Sequence, residues 1–278
     1  LNNSDVIIGW VYKWEEGFFK SAVWSTPGSV KLLPSPRDAN FDQYYLESFN
    51  DQGKIGGFAA FSGEVSRLAG VTIDTLSGEL QIDEEHLIFS LNNRGSILRS
   101  GSMDNAAAAE LVRSGGITPI VTPALHREPN DPKLAEDDVI FGSATDDDGS
   151  DGRIGIGSDC VIWKAPSFAP LLINPPGKLQ SDDCWITSRN RAGQMLIQHD
   201  RHDQYDELIF SKLYLTDGRT FRSLEALHPD LAKFDRLYLV KINANGQIAL
   251  NGYKDGSVRG LILTPRAKGA APNPRFVN

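Results

Sequence analysis

An all-β fold of about six four-stranded antiparallel units is predicted for this sequence, and two recurrences predict it. One is a turn cassette of the form Asn-x-x-Gly between apolar runs. The other, behind each cassette, is an apolar strand that turns on Pro, Gly or Asp into a second strand. Composition agrees: 40% hydrophobic and 23% charged residues is ordinary globular usage, and 26 Gly with 15 Pro provides for many turns.

The cassette is clearest near the C-terminus, as Ile242-Asn243-Ala244-Asn245-Gly246-Gln247-Ile248. Leu1-Asn2-Asn3-Ser4-Asp5-Val6-Ile7, Phe49-Asn50-Asp51-Gln52-Gly53-Lys54-Ile55, Leu91-Asn92-Asn93-Arg94-Gly95-Ser96-Ile97 and Arg189-Asn190-Arg191-Ala192-Gly193-Gln194-Met195 repeat it. A sixth, divergent copy is expected in DDGSDGRIGIG, where Asp151-Gly152-Arg153-Ile154 takes the place of turn and strand. The leading Asn or Asp can bond backbone two residues on, and Gly takes a positive φ at little cost. Asp5 replaces Gly in the first copy, which is tolerable because Asp enters the left-handed region more easily than most residues.

The second element aligns SAVWSTPGSVKLL with CVIWKAPSFAPLL and KLYLTDGRTFRSL. AELVRSGGITPI and AAFSGEVSRLAG fit more loosely, and GLILTPRAKG gives the first half. One unit is therefore four strands, recurring roughly every 40 to 55 residues. A lone sheet of that size leaves faces and edges bare, whereas radial packing covers both faces. The prediction is a β-propeller of six blades, or five where the terminal half-units merge. Residues 1–265 are assigned to this single domain and 266–278, rich in Pro, Gly and Ala, to an extended C-terminal tail. The chain starts inside a unit, through upstream processing, a chosen boundary, or a blade shared between the two termini.

INANGQIALNGY and SAVW resemble the HAF-repeat family, whose units read as an Ile-Asn-x-x-Gly-Gln-Ile/Val cassette followed by an Ala-Phe-Leu-Trp-like strand. The resemblance implies a β-propeller-like bacterial protein that is often exported, hence an extracellular or periplasmic location. It brings no catalytic residues with it.

The formal charge is −8, without a concentrated basic face, which argues against nucleic acid as partner. No apolar run approaches the ~18 residues of a membrane span, so no membrane insertion is expected. Cys160 and Cys184 open strands one blade-step apart; they are either one bridge in an oxidising compartment or two buried thiols. Export favours the bridge, which would pin one blade to the next.

Four places invite chemistry. Asp146, Asp148 and Asp151, in ATDDDGSDGRIGIG, put oxygen ligands in a Gly-containing loop that suits Ca2+, although the spacing is not that of an EF-hand. The bland alternative is a solvated hairpin turn. His199, His202 and Asp203, in QHDRHDQYDE, are placed in a loop after the fifth cassette, where H-x-x-H could join a metal site or supply a general base. A polar surface loop is the competing reading, since His86, His126 and His228 fall at dissimilar places in their units. VTPALHREPNDPKLAEDD is read as a long loop in the third unit, a lid or a passive linker. Trp24 and Trp163 sit at equivalent strand positions and belong to the core, whereas Trp10 and Trp14, in GWVYKWEEGFF, form an aromatic patch for glycan or protein.

No nucleophile elbow, phosphate loop, dinucleotide fingerprint or H-E-x-x-H occurs. The expectation is a binding propeller that recognises a protein or glycan through loops at one end. The rivals are a metal-assisted hydrolase or lyase working in the axial channel, and a structural domain of a longer surface protein.

Overall fold

The computed structural model describes residues 7–13, 18–26, 29–33, 43–61, 67–101, 109–120, 128–145, 157–203, 207–265 and 275–276. The chain divides into two compact units, residues 1–121 with 132–138, and residues 122–131 with 139–278.

Every sheet is an up-and-down meander in which sequence neighbours pair antiparallel. The first has three strands, β1 (Ile7–Lys13), β2 (Phe18–Thr26) and β3 (Ser29–Leu32). The second has four, β4 (Gln43–Phe49), β5 (Lys54–Phe61), β6 (Arg67–Asp74) and β7 (Leu80–Asp83). The third is β8 (Ile88–Leu91), β9 (Ile97–Ser100), β10 (Ala109–Arg113) and β11 (Gly116–Ile120). β12 (Glu128–Leu134), β13 (Ile140–Thr145), β14 (Ser158–Lys164) and β15 (Ala169–Leu172) make the fourth. The fifth is β16 (Asp183–Arg189), β17 (Met195–His202), β18 (Leu208–Thr216) and β19 (Phe221–Ser223). After a helical excursion come β20 (Arg236–Ile242), β21 (Ile248–Lys254), β22 (Ser257–Leu263) and β23 (Arg275–Phe276). So the described residues hold five four-stranded sheets and one of three strands. Within the segment read as a tail, Arg275–Phe276 pairs with β22.

The cassettes at Asn50, Asn92, Asn190 and Asn243 join the first and second strands of their sheets, and their geometry repeats; the copy expected at residues 1–7 lies outside the described residues but for Ile7. Asn50 Oδ1 accepts the Gln52 and Lys54 amides at 3.1 and 2.9 Å. Asn92 Oδ1 does the same for Arg94 and Ser96 (3.0 and 3.1 Å), and Asn243 Oδ1 for Asn245 and Gln247 (3.0 and 2.9 Å). Asn190 Oδ1 accepts from Gln194 at 3.0 Å. The closing glycines, Gly53, Gly95, Gly193 and Gly246, have φ of 83°, 80°, 80° and 75°, the left-handed conformation that a Cβ disfavours.

The carboxamide nitrogens reach beyond their own turns. Within the first unit Asn50 Nδ2 donates to the Asn92 carbonyl at 3.2 Å, and Asn92 Nδ2 to the Ala135 carbonyl at 3.0 Å and to Asp138 Oδ1 at 2.8 Å. Within the second, Asn190 Nδ2 donates to the Asn243 carbonyl at 3.3 Å. A bulge two residues before the turn helps: Ser48 Oγ accepts the Leu91 amide and Ser188 Oγ the Ile242 amide, each at 3.0 Å. Three of these turns are thus bonded to the copy that follows within the same unit: Asn50 to Asn92, Asn92 to Ala135 and Asp138, and Asn190 to Asn243.

These contacts correct the repeat alignment. The copy expected at Asp151 lies outside the described residues; the turn between the first two strands of the fourth sheet is Ala135-Glu136-Asp137-Asp138. There the Asp138 amide donates to the Ala135 carbonyl at 3.1 Å and Asp138 itself adopts φ 59°. Ala135 has no side-chain acceptor and Asp138 stands where Gly is usual, so the pattern did not register. VTPALHREPNDPKLAEDD is consequently not one long loop: its second half is β12 and this turn. Pro129 and Pro132 suggested a loop, but β12 is an edge strand, the place in a sheet where proline is tolerated. AAFSGEVSRLAG spans β5 and β6, the second and third strands of its sheet, rather than the third and fourth.

Burial follows the period of two. β16 alternates half-buried and buried along its whole length, and β21 does so over most of its own. In the first unit Tyr44, Ile55, Ala59, Ala69, Val71 and Ile73 pack with Val23 and Leu33. In the second, Leu196 and Leu213 pack with Leu224, Leu231, Leu250 and Leu261. Trp163 is fully buried on β14, whereas Trp24 on β2 is half-buried.

Candidate functional site

Of the residues proposed from sequence, Trp14, Asp146, Asp148 and Asp151 lie outside the described residues. Trp10 is on β1, opposite Ser21 of β2. His199 and His202 are not in a loop: both belong to β17, and only Asp203 follows it. Three residues apart on a strand, the two histidines face opposite sides and meet different carboxylates.

His199 is buried against Asp182, its Nε2 2.8 Å from Asp182 Oδ2. Asp182 is fully buried and also accepts Arg201 Nε and Nη2, both at 2.7 Å, and the Leu179 amide at 2.8 Å. Burial pushes the Asp182 carboxyl up, but Arg201, the Leu179 amide and His199 outweigh it and hold it well below the usual carboxylate range. On the other face, His202 Nδ1 lies 3.4 Å from Asp183 Oδ2. Among the described residues no three His, Cys, Asp or Glu side chains are grouped to hold a metal.

Cys184, opposite His199 in the β16–β17 ladder, is bonded to Cys160 of β14 with Cα atoms 5.1 Å apart. The disulfide ties the fourth sheet to the fifth. The Asp182 cluster does similar work alongside it, joining the segment before β16 to β17. His199, Asp182 and Arg201 are therefore engaged with one another inside the fold.

A different region has groups left open. Between β19 and β20 the chain makes α1 (Leu224–Leu227) and a 3-10 turn (Pro229–Lys233), the helical segments of the described residues. Ser223 caps α1, its Oγ accepting the Ala226 amide at 3.1 Å, and Pro229 starts the next turn, where its missing amide is not needed. Leu224 and Leu231 point into the core of the second unit and anchor the excursion. Phe234 lies across β21 at Gly252, where an added Cβ would come within 2.4 Å of the ring. Only glycine lets that ring settle onto the sheet.

Excursion and sheet enclose a recess of about 270 Å³. Leu231, Phe234, Leu261 and Leu263 give it an apolar floor, and His228, Lys233, Lys254 and Arg259 line it with basic groups. Lys233 is matched by Asp230, whose carboxyl that ammonium holds low. Among the described residues neither Lys254 Nζ nor the Arg259 guanidinium has a hydrogen-bond or ion-pair partner, and His228 Nδ1 is buried with none. Sequence reading passed over this recess, although Ser223-Leu-Glu-Ala-Leu and His228-Pro-Asp carry helix-start signals inside an otherwise β repeat.

The sequence matches no family model and no curated protein. Its fold has counterparts among solved structures. One is the β-propeller domain of the Trilobed protease from Pyrococcus furiosus, similar over 98% of this chain and 81% of that one (TM-score 0.57, 13% identity). TolB from Acinetobacter baumannii is similar over 88% of this chain and 57% of its own (TM-score 0.56, 14% identity). Acylaminoacyl peptidase from Pyrococcus horikoshii is similar over 100% of this chain and 44% of its own (TM-score 0.52, 12% identity). The chain spans about half the length of the last two. At these identities the likeness is one of fold: as the repeat predicts, this chain is a β-propeller.

Proposed function

We propose that this chain is a recognition module, a β-propeller that binds a protein or glycan partner, with the recess of the last sheet as its binding site. One observation carries the reading: the helical excursion and the last sheet enclose a concave surface at which Lys254 and Arg259 have no hydrogen-bond or ion-pair partner among the described residues. Small apolar recesses with a few convergent polar groups are the usual form of a binding site, and added segments on a repeat scaffold are where recognition resides. The His199 region supports the same division of labour, because Asp182 bonds both His199 Nε2 and the Arg201 guanidinium in the interior. The HAF-like cassettes and the Cys160–Cys184 bridge support an exported setting.

The test is a thermal-shift screen against glycan and protein panels, followed by calorimetry on the hits. A ligand at ~100 times its Kd adds about 2.7 kcal/mol to stability and raises the melting temperature. Hits whose affinity falls when Lys254 and Arg259 are changed to Gln support the recess as the site. Panels with no hit, or hits indifferent to those changes, count against it.

A further inference from the structure

We infer that the recess takes a carboxylate carried on an apolar body, either a small aliphatic or aromatic acid or the C-terminus of a polypeptide ending in an apolar residue. The inference rests on the recess being the binding site and names what enters it.

The argument is one of charge and size. The whole chain is acidic, 36 Asp and Glu against 28 Lys and Arg, so a basic side chain here has no shortage of carboxylates to meet. Lys254 and Arg259 nevertheless stand together at the recess without an acidic partner among the described residues. Their placement is fixed by the ladder. Gly252 and Lys254 share one face of β21, Arg259 lies directly opposite Gly252 on β22, and Leu261 and Leu263 follow on that same face. An anion held by Lys254 and Arg259 therefore has Phe234, packed over Gly252, and Leu261 directly beside it.

A guanidinium donates two parallel hydrogen bonds to a carboxylate, which suits this anion in particular. His228 also lines the recess, and its Nδ1 is buried without a hydrogen-bond partner among the described residues. About 270 Å³ is at the lower end of small-molecule sites, enough for a phenyl or branched aliphatic body and too little for a fused polycyclic ligand. A phosphate-rich or sulfated polymer would use the basic groups but leave the apolar floor bare. Asp230 does not compete for the cations, because Lys233 engages it.

The experiment titrates the intact protein by calorimetry with four probes: 4-phenylbutyrate, its primary amide, N-acetyl-Ala-Ala-Leu, and the C-terminal amide of that peptide. At least one acid is expected to bind tenfold or more tightly than its amide, with affinity falling as salt rises. The Lys254→Gln/Arg259→Gln double variant, altered at exposed and half-buried positions, is expected to keep its melting temperature and lose the preference for the acid. Binding by the free acid alone assigns the site to small molecules, and binding by the peptide acid alone assigns it to chain termini; either supports the inference. Acid and amide binding alike, or a preference that survives in the double variant, overturns it. Failure of all four probes by a protein that still captures a panel ligand through the recess overturns this inference and leaves the recognition module standing. Failure of probes and panels together removes both.

Discussion

Replacing Asn92 with Asp separates the two jobs of the cassette carboxamide. The substitution keeps an Oδ1 acceptor for the Arg94 and Ser96 amides, so the turn itself retains its bonds. It removes the donor that serves the Ala135 carbonyl at 3.0 Å and Asp138 Oδ1 at 2.8 Å, and sets an anion against both acceptors. Asn92 is 1% exposed, so water cannot relieve the clash. Two lost hydrogen bonds at about 1 kcal/mol each, one of them to a carboxylate, plus a buried anion facing acceptors, give a cost of about 3–5 kcal/mol. Asn243→Asp is the internal control. Among the described residues Asn243 Nδ2 donates to Gln247 Oε1 alone, at 2.9 Å within its own turn. Gln247 can turn its amide and donate to the new carboxylate, so that cost should stay under about 1 kcal/mol. Urea denaturation at neutral pH, followed by tryptophan fluorescence and far-UV circular dichroism, measures both. Equal losses for the two variants would refute the idea that bonds between successive turns, rather than bonds within them, carry the stabilisation.

Gly252→Ala should destabilise the second unit by about 1–3 kcal/mol through overpacking and should weaken any ligand of the recess, because the Phe234 ring must move off β21; calorimetry and thermal unfolding report the two effects. Asp182→Ala leaves Arg201 and His199 without their shared carboxylate and should cost about 3–5 kcal/mol. Since the folded Asp182 pKa is depressed, its contribution is complete above about pH 4, where the unfolded carboxyl ionises, and is lost as pH falls through the folded value. The variant should therefore show a shallower fall in stability on acidification, read from urea midpoints between pH 5 and the acid limit. Reducing Cys160–Cys184, which closes a 24-residue separation, should cost about 3 kcal/mol, measured as the shift in urea midpoint with and without dithiothreitol.

Sequence carries the fold because the cassette is local chemistry: Asn bonds its own backbone, Gly supplies positive φ, and both are visible as letters. It goes dark where another residue does the same job. Asp138 takes the left-handed conformation, and Asn92 Nδ2 donates to the Ala135 carbonyl and to Asp138 Oδ1, so the turn persists without its signature. His199 and His202 drew attention by spacing, but which side of a strand each faces depends on register, and register comes from pairing with β16 and β18. The recess was harder still. Its lining comes from β21, β22 and the segment before β20, a juxtaposition no run of sequence displays. The gap was detectable only as helix signals in a chain of strands.

Because the carboxamides of Asn50, Asn92 and Asn190 dock on the turn that follows, these repeats are complete only in the company of the right neighbour. Moving one blade's sequence to another position would therefore not be a neutral shuffle: the junctions, and not the modules, hold the information about order. Asn92 facing Asp138 is such a junction, a lock cut for a single key.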